Sequence, residues 1–367
     1  MKVLFDHQIY NNQKYGGISR YFYELSKGLI KQGVEVENSI TFSENEFTAD
    51  KQVFNSGGFI PLQFKGRGKL KRYLNRKASE RAIKKEGFDI FHPTYYDTYF
   101  LDKQILKKPL VVTFYDLIHE KFSGQYPEQL QDIEKVVAER KLLLKHAAKV
   151  IAISQSTKDD IISYYKVPEE LVEVTHLASS MDSSNLQKNT TLGRYLLYVG
   201  NRAAYKNFTP FVQAVAPILQ QDTTLKIVAA GGGAFNASET EFFTSLGIEN
   251  QLVQKGITDP ILADLYYNAL AFIFPSLYEG FGIPVLEAFS CHCPAILSNI
   301  SSLPEVGGSA ALYMDPLSDA DMREKVSALL NSSTLRAELI AKGLQQAKLF
   351  SWQTMADETL DIYKSVL

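Results

Sequence analysis

Phe274-Pro-Ser-Leu-Tyr-Glu279-Gly-Phe-Gly-Ile-Pro-Val-Leu-Glu287-Ala288 is the stretch on which the reading of this chain turns. An apolar run over residues 270–275 predicts a buried strand, and Ser276 ends it. Glycines at 280 and 282 predict a loop, and Pro284 suits the first turn of a helix, where no N–H is needed. Val285, Leu286, Ala288 and Phe289 follow at helical spacing. Strand, glycine loop and helix N-terminus together offer free amides and a positive dipole end, which favour an anion such as phosphate.

Glu279 and Glu287 bracket that site. Carboxylates repel phosphate, so their natural partners are neutral hydroxyls, and an ionised carboxylate can accept two hydrogen bonds from a vicinal diol. A phosphate flanked by two diols describes a nucleotide sugar. With Gly-Phe-Gly-Ile-Pro between the glutamates, Phe-Pro-Ser-Leu-Tyr before them and Ala-Phe-Ser-Cys-His-Cys-Pro after, the segment resembles the E-x7-E signature of the retaining glycosyltransferases of family 4. The plainer alternative is an ordinary strand–helix unit with surface glutamates. The resemblance spans essentially the whole chain, most closely residues 195–315. It implies an α/β protein of the GT-B class, two Rossmann-like doubly wound domains facing across a deep cleft. It further implies that Glu279 holds the transferred sugar and Glu287 the ribose, with Gly280, Phe281, Gly282 and Ile283 forming the loop between them.

Composition sets the frame. The 367 residues suffice for two full cores, and 45% hydrophobic with 22% charged residues fits a water-soluble globular chain. A net charge of −2 argues against nucleic acid as a partner. The only cysteines, Cys291 and Cys293, are too close for an ordinary disulfide, which points to a reducing cytoplasm. No signal peptide or membrane span is expected, so glycosylation sequons such as Asn189-Thr-Thr, Asn207-Phe-Thr and Asn236-Ala-Ser are chance matches.

In the first half, residues 2–6 predict a strand, followed by a loop and by Gly16-Gly17 opening a helix with Arg20 one turn in. The pattern lacks the full G-x-G-x-x-G spacing. A tight packing turn explains it equally well, while the family resemblance puts Gly16 and Gly17 beside the donor phosphates. Residues 65–86 carry ten Lys or Arg against two Glu, with Leu70, Tyr73, Leu74 and Ala78 on one face. This predicts a basic amphipathic helix: a solvated rim, or a peripheral contact between residues 65–85 and anionic lipid or a lipid-linked acceptor. Residues 88–94 and 109–115 predict buried strands that deliver His92, Asp116 and His119 to the ends where doubly wound sheets bind ligands. Several family members have a His-Asp pair here. Tyr115 fills the His slot in this chain, which leaves Asp116 alone or His119 as the catalytic group near the donor sugar. A long helix over 127–148 and a capped helix after Ser154 complete this half.

The hinge is expected between residues 179 and 191, and the resemblance implies an acceptor-binding domain of residues 1–178 and a nucleotide-sugar donor-binding domain of residues 190–350. A final helix over 352–367 should cross back to the first. A strand over 195–199 leads into Gly200-Asn-Arg202-Ala-Ala-Tyr-Lys206 and another helix. The family has an Arg and a Lys here on the donor diphosphate. Lys206 keeps its spacing, whereas the Arg slot holds Asn201 and Arg202 lies one place later. The resemblance also brings Gly256 and Ile257 to the nucleotide base. Gly231-Gly-Gly233 lacks the Lys-Ser/Thr of a P-loop. Cys291-His292-Cys293 is too compressed for zinc and reads as packing, with His292 where a turn favours Gly. Asp319-Ala-Asp321 resembles a metal-binding D-x-D but begins a helix, where acids belong anyway.

The reaction so implied moves a hexose from a nucleotide diphosphate sugar to a saccharide or lipid-linked acceptor in polysaccharide assembly. UDP-glucose comes first among donors and GDP-mannose next. The step is a front-face displacement with retention, the donor's own phosphate taking the acceptor proton. Neither cofactor nor metal is expected. Two other readings stand beside it: a glycosidase using Glu279 and Glu287 as acid and base, and a GT-B-like protein that binds nucleotide sugars without turnover.

Overall fold

The computed structural model describes residues 1–54, 58, 65–125, 132–184, 186–189 and 191–367. The chain forms two compact units, one of residues 1–123, 130–177 and 352–367, the other of residues 124–129 and 178–351. Both are built on parallel sheets whose central strands are apolar and buried on both faces, the pattern that helices covering each face demand.

In the first unit, β1 (Lys2–Phe5) pairs in parallel with β2 (Glu35–Asn38) on one side and β3 (Ile90–His92) on the other. A second set comprises β4 (Val111–Phe114), β5 (Lys149–Ala152) and β6 (Val172–Val174). A parallel bridge from Phe91 to Leu110 joins the two sets. The chain therefore changes direction across the sheet between β1 and β3.

The second unit carries β7 (Arg194–Val199), β8 (Leu225–Ala230), β9 (Leu252–Lys255), β10 (Ala271–Phe274), β11 (Ala295–Ser298) and β12 (Ala311–Met314). They run in the order β12-β11-β10-β7-β8-β9. Counted from β7, this is the 3-2-1-4-5-6 order of a dinucleotide-binding sheet, with its reversal between β7 and β10. Phe208–Gln221 covers the sheet with Phe211, Val212, Val215 and Leu219, all buried.

The Arg67–Lys85 helix keeps Leu70 and Tyr73 outward, 41% and 58% exposed, as a rim or a membrane-facing helix would. It packs through Asn75, Ser79, Glu80 and Ile83. Asn75 accepts from the amides of Thr41 and Phe42, both at 2.9 Å, and donates to the Phe42 carbonyl at 2.7 Å. Of the long helix expected over 127–148, residues 133–146 are helical, and 127–131 lie outside the described residues.

Trp352–Lys364 belongs to the first unit. It comes so close to Gly17–Lys31 that a Cβ on Gly28 would lie 2.3 Å from that of Ala356, so only glycine fits. His92, singled out from sequence as a crevice residue, is instead wholly buried and ties this helix to the sheet. Its Nδ1 lies 2.6 Å from the Tyr363 hydroxyl and its Nε2 2.9 Å from Thr113 Oγ1. Burial drives its pKa down to about 3. A histidine held neutral in the fold but free to protonate when unfolded makes the unfolded state bind more protons below about pH 6.5, so stability falls with pH between there and about pH 3. The loss should reach ~2 kcal/mol between pH 7 and pH 5. Urea melts of the first unit's transition should show that slope, and His92→Gln should flatten it; equal slopes would remove His92 as the cause.

Candidate functional site

Parallel pairing places the ends of β7 and β10 together, with Ile273 opposite Tyr198. The loops that follow are then bound to each other. The Leu277 amide donates to the Tyr205 carbonyl at 2.7 Å, and Lys206 Nζ donates to Glu279 Oε1 at 2.6 Å. The Ser276 hydroxyl donates to the same oxygen, also at 2.6 Å. Both members of the ion pair are largely buried, with side chains 15% and 10% exposed. The ammonium also lies 5.3 and 5.4 Å from the ring centres of Tyr205 and Phe274, within cation–π range.

The glycine loop is fixed from the neighbouring strand. Phe274 pairs with Leu297, so the turn after β11 leaves the sheet at the same end. There Ser301 Oγ accepts the Glu279 amide at 3.0 Å, and the Ser302 hydroxyl lies 2.9 and 2.8 Å from the carbonyls of Glu279 and Phe281. Neither serine was picked out from sequence, because only the strand order brings residues 301 and 302 beside residue 279. Gly282 opens the Ile283–Ser290 helix at φ +106, a left-handed conformation that a side chain would strain. Gly280 and Phe281 are buried, and the Phe281 ring packs edge-on against Phe350 at 5.8 Å. Glu287, in the body of the helix, accepts from the Tyr266 hydroxyl at 3.1 Å.

Arg202 has a different neighbourhood. Its guanidinium pairs with Glu239 at 2.5 Å and reaches the carbonyls of Gly233 at 3.2 Å and Ala234 at 2.9 Å. It also lies over the Phe235 ring. Gly231, Gly232 and Gly233 all have positive φ, and a Cβ on Gly232 would stand 2.8 Å from Arg202 Nη1. Arg202 thus threads the three-glycine turn beside Glu239. Burial alone would raise the Glu239 carboxyl, but the hydrogen bonds from Arg202 and the Asn236 amide hold it below its usual range. Gly256 and Ile257 are exposed on the turn after β9.

In the first unit, Asp116 and His119 follow β4 and are gathered around Arg140. That guanidinium is almost wholly buried, bonds both oxygens of Glu120 at 2.8 and 2.6 Å, and lies 3.6 Å from Asp116 Oδ1. The Tyr165 hydroxyl also donates to Glu120, and the Tyr96 ring centre lies 4.4 Å from the guanidinium carbon. His119 is half-buried, its Nδ1 without a hydrogen-bond partner among the described residues. Burial, then the charge of Arg140, lowers its pKa, so the imidazole is neutral at pH 7. Tyr115, in the family's His slot, is buried. Gly16 and Gly17 open the Gly17–Lys31 helix, where Gln13 Oε1 accepts the Ser19 amide at 3.2 Å. Arg20 is buried and bonds the Tyr15 hydroxyl.

Two further segments are structural in placement. Cys291 and Cys293 are buried, and burial pushes the Cys291 thiol up to about 12. His292 between them sits at φ +56, the left-handed turn for which glycine was expected. Asp319 and Asp321 lie in the first turn of Asp319–Asn331, with Asp321 accepting the Asp315 amide at 2.7 Å.

Comparison with known proteins follows the same division. A family model described as "Glycosyltransferase Family 4" matches residues 15–178, and one described as "Glycosyl transferases group 1" matches residues 183–346. Among curated proteins, the Escherichia coli O-antigen chain mannosyltransferase B is 29% identical over 95% of this chain and 96% of its own. Among solved structures, sucrose-phosphate synthase from Thermosynechococcus elongatus superposes with a TM-score of 0.76 at 19% identity, covering 99% of this chain and 98% of the other. Anabaena HepE, in complex with UDP and glucose, gives 0.74 at 17% identity over the whole of both chains. These likenesses, with the two parallel sheets, make the fold GT-B.

Replacing Arg140 by Met should leave Glu120 buried without its cation and cost ~3–5 kcal/mol, whereas adding Glu120→Gln should restore a good part of it. Urea denaturation of the single and double variants checks this; equal stability of the two would contradict it.

Proposed function

The chain belongs to the group 1 glycosyl transferases, glycosyltransferase family 4, and from that premise we propose that it transfers mannose, with retention, from GDP-mannose to a saccharide or lipid-linked acceptor in polysaccharide assembly. The observation that carries this reading is the Lys206–Glu279 contact at the reversal point of the second unit's sheet, where doubly wound folds bind nucleotides. UDP-glucose ranked first from the sequence. The identity to a protein named a mannosyltransferase supports mannose, and moves GDP-mannose ahead.

The roles follow from the chemistry of the groups. An ammonium carries three N–H donors, so the bond from Lys206 to Glu279 is compatible with another to a diphosphate oxygen. Charge developing on the leaving diphosphate would meet that cation and the amino-terminal end of Ile283–Ser290. Glu279, kept in place by Ser276 and Lys206, presents its carboxylate to the hydroxyls of the sugar. Glu287, steadied by Tyr266, takes the ribose. Arg202 acts by holding the glycine turn rather than on the phosphate itself. His119, neutral at pH 7, and Asp116 each offer hydrogen-bonding groups to a sugar hydroxyl. With the cation and helix dipole carrying the charge and a donor oxygen taking the proton, the chemistry needs no metal.

The exposed Leu70 and Tyr73, on a helix rich in Lys and Arg, support a second element of the proposal: shallow contact with an anionic membrane that carries the acceptor. Among the described residues no helix is long and apolar enough to cross a membrane.

Incubation with a panel of nucleotide sugars should give transfer or slow hydrolysis with GDP-mannose above the others. Glu287→Ala should raise the donor KM tenfold or more, roughly 1.4 kcal/mol per tenfold; cleavage of a plain glycoside with nucleotide sugars untouched would sink the reading. Sedimentation with liposomes should show binding to anionic but not neutral vesicles, weakened by Leu70→Ser with Tyr73→Ser. Equal binding to both kinds would remove the membrane contact.

A further inference from the structure

Residues 301–303, in the turn after β11, grip the glycine loop at successive points. Ser301 Oγ takes the Glu279 amide, and the Ser302 hydroxyl reaches the carbonyls of Glu279 and Phe281. A Cβ on Gly282 would stand 3.0 Å from Leu303 Cδ2. The contacts run in step along both segments, so the turn serves as a template for the loop. Ser302 and Leu303 are wholly buried, whereas the Ser301 side chain is partly exposed.

The bonds made inside this group leave two atoms over, of opposite kind. Lys206 and Ser276 both donate to Oε1 of Glu279, while Oε2 accepts no hydrogen bond among the described residues. Ser301 Oγ spends a lone pair on the Glu279 amide, and no acceptor for its own proton stands among the described residues. The site therefore offers a free acceptor and a free donor, both tied to residue 279. The backbone of Ser301 adds a second observation. Its φ is +51, a conformation that glycine takes without cost and serine seldom adopts. Residues held in such conformations cluster where ligands bind.

We propose that Ser301 binds the transferred sugar: its O–H donates to one hydroxyl of the hexose, while the neighbouring hydroxyl donates to Glu279 Oε2. The proposal rests on the glycosyltransferase reading above and deepens it by naming a second group that reads the sugar. An ionised carboxylate can only accept, so alone it holds a diol without fixing the direction of its hydrogen bonds. A donor beside it fixes which hydroxyl gives and which receives. Such a site rejects an analogue lacking the bonded hydroxyl far more strongly than an apolar pocket rejects a missing methylene, because the protein's polar group is left unpaired. Ser302 is a positioning residue. It holds the carbonyls on either side of Gly280 and so keeps Glu279 in register with Ser301.

Release of GDP from GDP-mannose and from its 2-, 3-, 4- and 6-deoxy forms tests this on the full chain, since donor hydrolysis requires no acceptor; the matching UDP-glucose series runs alongside. Wild-type kcat/KM should fall roughly tenfold or more when either of two adjacent hydroxyls is removed. Ser301→Gly, which suits the backbone at this position, should fold normally by thermal melting and lose about tenfold in kcat/KM for the parent donor. It should also lose the penalty for one of the two deletions and keep the other. Ser302→Ala should weaken all the donors alike and leave the wild-type pattern of penalties. Ser301→Gly with wild-type discrimination, or with a uniform loss across the series, would make Ser301 a structural clamp and overturn the proposal. Turnover of the parent donor by the wild-type protein in that case spares the glycosyltransferase reading. Indifference of the wild-type protein to every nucleotide sugar, with no thermal shift from GDP or UDP, overturns both.

Discussion

Lys206 and Glu279 stand 73 positions apart in the chain and 2.6 Å apart in space. What joins them is one parallel pairing, β7 with β10, which neither residue takes part in. Because parallel neighbours send their chains out at the same end of the sheet, the loops after both strands must share that end. The rest of the site follows: the Leu277–Tyr205 backbone bond, the serines after β11, and the glycine that lets the helix begin close beside them. A pair of opposite charges taken this far from water costs several kcal/mol per ion unless each finds its partner. Ser276 and two aromatic rings complete the set.

Much of this was legible in the chain itself. Residues 274–288 announce strand, loop and helix by local rules alone, since proline, glycine and apolar spacing act within a few residues of each other. Lys206 was found because its spacing from Gly200 follows from a single short turn. Arg202 marks where such reasoning stops. One place out of step, it has the right charge in the right loop, and only the fold shows it pairing with Glu239 and filling the turn at Gly231–Gly233.

The other gaps have the same origin. Periodicity identified the apolar face of Arg67–Lys85 correctly but not which face meets the core, because Asn75 and Ser79 meet backbone and side-chain partners from distant segments. His92 looks like a crevice residue at the end of a strand, and it becomes structural only when Tyr363 arrives 271 positions later. Asp116 and His119 were visible, whereas Arg140, which organises them, hid in a helix as one basic residue among several. Long-range polar partners leave no local pattern.

The close contact between Gly28 and Ala356 bears on the order in which the protein can be made. Translation delivers the first sheet early, yet the hydroxyl that completes its buried histidine belongs to residue 363. Until then the Gly17–Lys31 helix has an uncovered seam, while every strand of the second sheet has already emerged. Domains usually mature from the amino terminus as the ribosome advances. Here the first unit can be completed only after residues 352–364, which follow the whole of the second unit, have joined it.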